Sequence, residues 1–280
     1  MRPVAARYLS SAILLTGVLL AGAAALAQTP QERRACEGED AATPDQRIAG
    51  CSAAIRAARD KSDKLSEVFN NRGVAYRLKG ELDRAIQDYG QAIKLNAKFA
   101  MAFNNRGVAY DKKGEYDHAI QDFDQAIKIK PSAEAHFNRG NAYLGKSQHA
   151  SAIDDFNQAI KLKADFAQAF DNRCWARAVV GILKQALADC NEALRLMPSN
   201  AATLDSRAFV FLKMTNFDAA VSDYDAALRI NPKLAFALYG RGLARLKNED
   251  AAGESDIAAA KALQADIAEE YARYGMQDTR

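Results

Sequence analysis

An all-helical solenoid of stacked hairpins is the fold that this 280-residue sequence predicts, and three observations predict it. A small residue recurs at Gly73, Gly107, Gly140, Cys174, Ala208 and Gly242, at spacings of 34, 33, 34, 34 and 34 residues. Within one copy, residues 100–131, apolar or small residues fall three or four apart at Phe103, Gly107 and Tyr110, then at Ala119, Phe123, Ala126 and Ile127. That is the period of two amphipathic helices, with Gly114 breaking the first and Pro131 stopping the second. A lone hairpin of this size cannot cover its apolar faces, so it needs copies stacked on both sides.

The second helices keep the same register. Ala85, Ala119, Ala152, Ala186 and Ala220 are followed four residues later by Tyr89, Phe123, Phe156, Cys190 and Tyr224, and Pro131, Pro198 and Pro232 close three of the copies. In this run of small residue, Tyr, Ala, aromatic, Ala and Pro, the chain resembles the tetratricopeptide repeat family over residues 66–265. The resemblance implies a right-handed α-solenoid of six hairpins, at 66–99, 100–132, 133–166, 167–200, 201–234 and 235–265. The sixth is degenerate and one residue short. Arg177 and Arg245 stand where the family has Tyr, which predicts weaker packing inside the fourth and sixth copies.

Residues 1–27 read as a cleavable signal peptide. Arg2 and Arg7 form its basic end, residues 9–20 the apolar run, and Ala25-Leu26-Ala27 the small-x-small cleavage pattern. Periplasmic or secreted localisation follows, with cleavage after Ala27. The alternative of an uncleaved anchor meets an apolar run too short to span comfortably. Two arginines and no acid leave with that segment, so the net charge of +3 becomes +1. Basic and acidic residues alternate without a clustered stripe, which argues against a nucleic-acid partner.

Residues 28–42 are polar and read as loosely held. Thr43, Pro44 and Gln46 then form a helix start with a capping box. The helix that follows imitates the second half of a repeat whose first helix is missing, so residues 28–65 are expected to be a half-repeat cap. Residues 266–280 are expected to cap the far end through a short helix at 267–274.

The census of chemistry-bearing residues points away from an enzyme. His118, His136 and His149 sit singly at helical positions, and no phosphate-cradling Gly loop, nucleophile elbow or metal-ligand spacing is present. No cofactor or metal is expected. The cysteines say more. Cys174 replaces the small residue and Cys190 the aromatic within one copy, at positions that face one another across the hairpin. They are expected to form one disulfide and Cys36–Cys51 a second, the alternative being four reduced thiols.

An Arg before the small position recurs with an Asp before the aromatic one: Arg72/Asp88, Arg106/Asp122, Arg139/Asp155, Arg173/Asp189, Arg207/Asp223 and Arg241/Asp256. Recurrence of both partners together predicts interhelical ion pairs rather than a ligand-binding row of arginines. The residue before that Arg is Asn71, Asn105, Asn138 and Asn172 in four copies. The family resemblance places first helices on the concave face, and a similar asparagine row in O-linked N-acetylglucosamine transferases grips peptide backbones. Two readings stay open: a peptide grip, or amides that solvate the groove or bond within their own repeat. Counting round the first helices adds Phe137, Trp175, Phe209 and Tyr239 as candidate partner-binding residues. The resulting function is an exported, non-enzymatic scaffold that binds a protein or peptide. The alternative is a self-associating structural component of a cell-envelope assembly.

Overall fold

The computed structural model describes residues 29–39, 41–58 and 63–276, which form fifteen helices and no strand. The expected signal peptide, residues 1–27, lies outside the described residues. The helices fall in two compact units, one ending at Lys113 and the other starting at Gly114.

The first unit holds α1 (Pro30–Glu37), α2 (Pro44–Ala57), α3 (Asp63–Leu78), α4 (Leu82–Leu95) and α5 (Ala100–Lys112). Helix α1 corrects the expectation of a loose segment and a missing first helix. Thr29 and Glu32 close a capping box around it, Pro30 opens it, and Gly38 ends it in the left-handed conformation. Thr43 and Gln46 cap α2 in the same way. A side chain at Gly50 would meet the Glu32 carbonyl oxygen at 2.2 Å, so only glycine lets α1 and α2 approach this closely. The Cys36–Cys51 disulfide joins them. The two cysteines take the small-residue and aromatic positions of a repeat, and Ser52, after Cys51, receives the next hairpin's Arg72 Nη1 at 3.0 Å. Residues 30–57 are therefore a shortened hairpin in register with the others, not half of one.

The second unit runs α6 (Tyr116–Ile129), α7 (Ala133–Gly145), α8 (His149–Leu162), α9 (Ala167–Val179), α10 (Leu183–Leu196), α11 (Ala201–Lys213), α12 (Phe217–Ile230), α13 (Ala235–Lys247), α14 (Ala252–Leu263) and α15 (Ile267–Arg273). First helices α7, α9, α11 and α13 pack side by side, and each second helix covers its own first helix and the next. The small-residue rule has a steric cause: a Cβ at Gly140 would stand 2.6 Å from the Phe156 ring. In the fourth copy Cys174 and Cys190 occupy that contact and form a disulfide. The larger apolar core gathers toward the C-terminal end, around Phe209, Val210, Leu212, Tyr224, Tyr239, Leu243, Ile257, Ile267 and Tyr271.

Candidate functional site

The recurrent arginines are clamps. Arg72, Arg139, Arg173, Arg207 and Arg241 each give Nε and Nη2 to both oxygens of the paired Asp on their own second helix, at 2.6–3.0 Å. Those carboxylates, Asp88, Asp155, Asp189, Asp223 and Asp256, are all buried. Nη1 turns the other way, to Ser52, Asp124, Asn157, Asn191 and Asp225 on the preceding second helix. One planar guanidinium thus fixes its own hairpin and its neighbour, which a lysine could not do.

Arg177 and Arg245 do not loosen their copies as expected. Each adds a second guanidinium to the clamp carboxylate, at 2.6 Å on Asp189 and 2.7 Å on Asp256. His136, read from sequence as isolated, places Nδ1 2.9 Å from Asp155. Its position three residues before Arg139, on the same helix face, is the signal that could have found it.

Three members of the amide row bond to asparagines outside it. Asn105 donates to Asn70 at 2.9 Å and Asn172 to Asn141 at 2.7 Å, in each case on the preceding first helix. Asn71 accepts from Asn70 at 3.5 Å. All four candidate asparagines, Asn138 included, are half-buried. Two of these bonds cross between neighbouring first helices, and the Asn70–Asn71 bond stays within one.

The candidate aromatics divide. Phe209 is 0% and Tyr239 2% exposed, both covered in part by Tyr271, so neither is open on the surface while residues 267–276 are in place. Phe137 packs on Phe166 at 4.8 Å and Phe156 at 5.9 Å. Trp175 stays half-buried between Phe209, Phe236 and Tyr274, each at 5.1 Å. The burial has a cause invisible in the repeat pattern. Helix α15 and the residues just after it do not extend the stack as a simple end cap; residues 267–276 lie across the first helices. Tyr271 stacks on Phe236 at 4.2 Å and meets Tyr239 at 4.8 Å, and Tyr274 reaches Trp175 on α9. Lys213 Nζ donates to the Tyr274 carbonyl at 3.1 Å and to that of Val179 at 3.2 Å.

Under this segment lie two acids. Asp171 and Asp205 stand four residues before Trp175 and Phe209, on the same helix faces. Each has a buried Oδ1 without a hydrogen-bond partner. Burial raises the Asp171 carboxyl above its ordinary value, against hydrogen bonds from Ser206 and Thr203. Burial, then the charges of Asp171 and Glu270, push Asp205 up to about 8. The described residues contain no group of three or more metal-ligating side chains close enough to hold an ion. No described helix is long and apolar enough to cross a membrane.

Clamped helical hairpins repeating along the chain define an α-helical repeat solenoid. Family models for the tetratricopeptide repeat match residues 100–132 and 133–166, and a further repeat model matches 73–114. Residues 73–166 therefore carry tetratricopeptide repeats. No curated protein matches it in sequence. A repeat protein from Parabacteroides merdae is similar in structure, 19% identical with a TM-score of 0.65, covering 87% of this chain and 97% of that one. YrrB, a repeat protein with an unusual peptide-binding site, is 21% identical with a TM-score of 0.57, over 68% of this chain and 97% of its own. PilF of Pseudomonas aeruginosa is 17% identical with a TM-score of 0.62, over 76% and 96%. At these identities the likeness is one of fold.

Proposed function

We propose that this chain is an exported, non-enzymatic scaffold that binds a protein or peptide segment on the face of its first helices. The observation that carries the reading is that this face, in the second unit, already holds a polypeptide segment. It takes the rings of Tyr271 and Tyr274 in an aromatic bed and a backbone carbonyl on Lys213 Nζ. Rings supply contact area and choice of side chain, and a carbonyl contact is blind to sequence. That is the combination a peptide site needs. The fold supports it as well, since stacked repeats present extended faces. Export is supported by the leader pattern of residues 1–27 and by two disulfides, which persist in oxidising compartments.

The test has two parts. Fractionation followed by amino-terminal sequencing of the mature protein should begin at Gln28 in a periplasmic or secreted fraction; a cytosolic chain that keeps residues 1–27 would end the export reading. Cross-linking from photoreactive groups placed on the first helices should trap the same protein partner repeatedly. Cross-links confined to the second helices would move the binding site. Sedimentation of the purified chain decides against the self-associating alternative if it runs as a monomer.

A further inference from the structure

A terminal helix that merely continued the stack would touch only the last hairpin. Residues 267–276 do otherwise. Tyr274 meets Trp175 on α9 at 5.1 Å and Phe209 on α11 at 6.3 Å, while Tyr271 lies on Phe236 and Tyr239 of α13. The segment thus bridges three successive first helices, as a bound ligand would.

Its fit is good in one half and poor in the other. The aromatic half is well filled, with Tyr271 fully buried. Beside it a cavity of about 380 Å³ stays open between Leu212, Lys213, Leu243 and Met276. The polar half is mismatched in charge. Asp171 and Asp205 present unpartnered buried oxygens, and the group the tail brings toward Asp205 is Glu270, a third acid. Glu270 is itself held by Gln264 Nε2 at 2.8 Å. The charges acting on Asp205 are those of Asp171 and Glu270, with no cation among them. A desolvated carboxyl oxygen that finds no donor is costly; Asp171 keeps hydrogen bonds from Ser206 and Thr203, so the cost falls mainly on Asp205, and a cation delivered there would relieve it.

We propose that the face of α9, α11 and α13 is a binding site for a peptide bearing two aromatic residues three apart, with a basic residue immediately before the first, and that residues 267–276 are a weaker internal occupant which such a peptide displaces. The inference rests on the scaffold reading above and names the partner chemistry and the regulation of that site. The tail supplies the aromatic spacing, Tyr271 and Tyr274, and the acid pair supplies the demand for a cation where the tail has Glu270. A partner that satisfies both outcompetes an occupant that satisfies one.

The test uses the full chain and two fluorescein-labelled peptides, one with the sequence of residues 265–276 and one carrying Glu270→Lys. Trp175, the one tryptophan in the sequence, reports on the site by its emission. The Glu270→Lys peptide should bind the full chain at least about tenfold more tightly than the native peptide, with a change in Trp175 emission. Asp205→Asn in the protein should remove most of that advantage. Tyr274→Ala in the protein loosens the internal competitor and should tighten both peptides by about tenfold. A second variant covers the case in which Tyr274→Ala fails to fold. Glu270→Lys within the chain should seat the tail more firmly, slow its proteolytic removal and weaken peptide binding in trans. Equal affinity for the two peptides, or no binding by folded Tyr274→Ala protein, overturns the proposal. A partner that cross-links to the first helices of the other unit while neither peptide binds here would overturn it too, and would leave the scaffold reading standing.

Discussion

At the scale of single residues, the clamp arginines do the most for the fold. Arg207 shows how: its Nε and Nη2 hold Asp223, and its Nη1 holds Asn191 on the preceding hairpin. Arg207→Leu leaves a buried carboxylate without its partner, and urea unfolding should show a loss of about 3 kcal/mol. Adding Asp223→Leu should recover part of it; losses that simply add would disprove the coupling. Asp205 acts in the opposite sense. Its carboxyl titrates near 8 in the folded chain against 3.8 unfolded, facing Asp171 from α9, Tyr224 from α12 and Glu270 and Tyr271 from α15. The folded state therefore binds a proton that the unfolded chain releases. The stability this contributes is complete below pH 3.8 and is lost as pH rises toward 8. Between pH 5 and 7 the loss should be about 3 kcal/mol in the urea midpoint analysis, and Asp205→Asn should flatten that slope.

At the scale of elements, the turn between the two helices of a hairpin needs one residue in the left-handed region. Gly80, Gly114 and Gly181 fill it at φ of 78°, 76° and 82°. Ser147, Thr215 and Glu249 fill it elsewhere at 57°, 60° and 60°. A β-branched side chain is poorly suited to that conformation, so Thr215→Gly should raise stability by about 1 kcal/mol, read as a higher melting temperature. The fourth hairpin relies instead on a covalent tie. Reducing Cys174–Cys190 opens a closed loop spanning 16 residues and should cost about 3 kcal/mol in the chain-entropy account. Mass spectrometry of unreduced, alkylated protein should recover Cys174 linked to Cys190 and Cys36 linked to Cys51. Four alkylated thiols would contradict both links.

At the scale of the whole molecule, a repeat array has mainly nearest-neighbour contacts, so damage stays local. Replacing Cys36 and Cys51 with serine should speed amide exchange in α1 and α2 and leave α7 to α14 unchanged. The segment 267–276 breaks this locality, because it ties α9, α11 and α13 together through Tyr271, Tyr274 and Lys213. Removing its anchor should therefore spread increased exchange across three hairpins at once.

The sequence by itself determined the all-helical repeat fold and the clamp pairs, because each recurs at a fixed position in a period of about 34 residues, and the disulfide partnerships, because the four cysteines fall in two local pairs. A periodic pattern reports what every copy shares, and so it exposed Arg207 with Asp223 and Cys174 opposite Cys190. What breaks the period was not legible. Helix α1 is a repeat helix without the repeat's Arg, Gly or Tyr, recognisable only once Gly50 and Cys51 are seen against it. The Arg177 exchange looked like a lost packing residue until its guanidinium was found on Asp189. Burial of Phe209 and Tyr239, and the unpartnered oxygens of Asp171 and Asp205, depend on where residues 267–276 fold back. That segment meets residues about 100 positions away in the chain, and no local propensity encodes such a contact. Only the tertiary structure, by folding residues 267–276 against three first helices instead of one, decided which side chains the face keeps and which it hides.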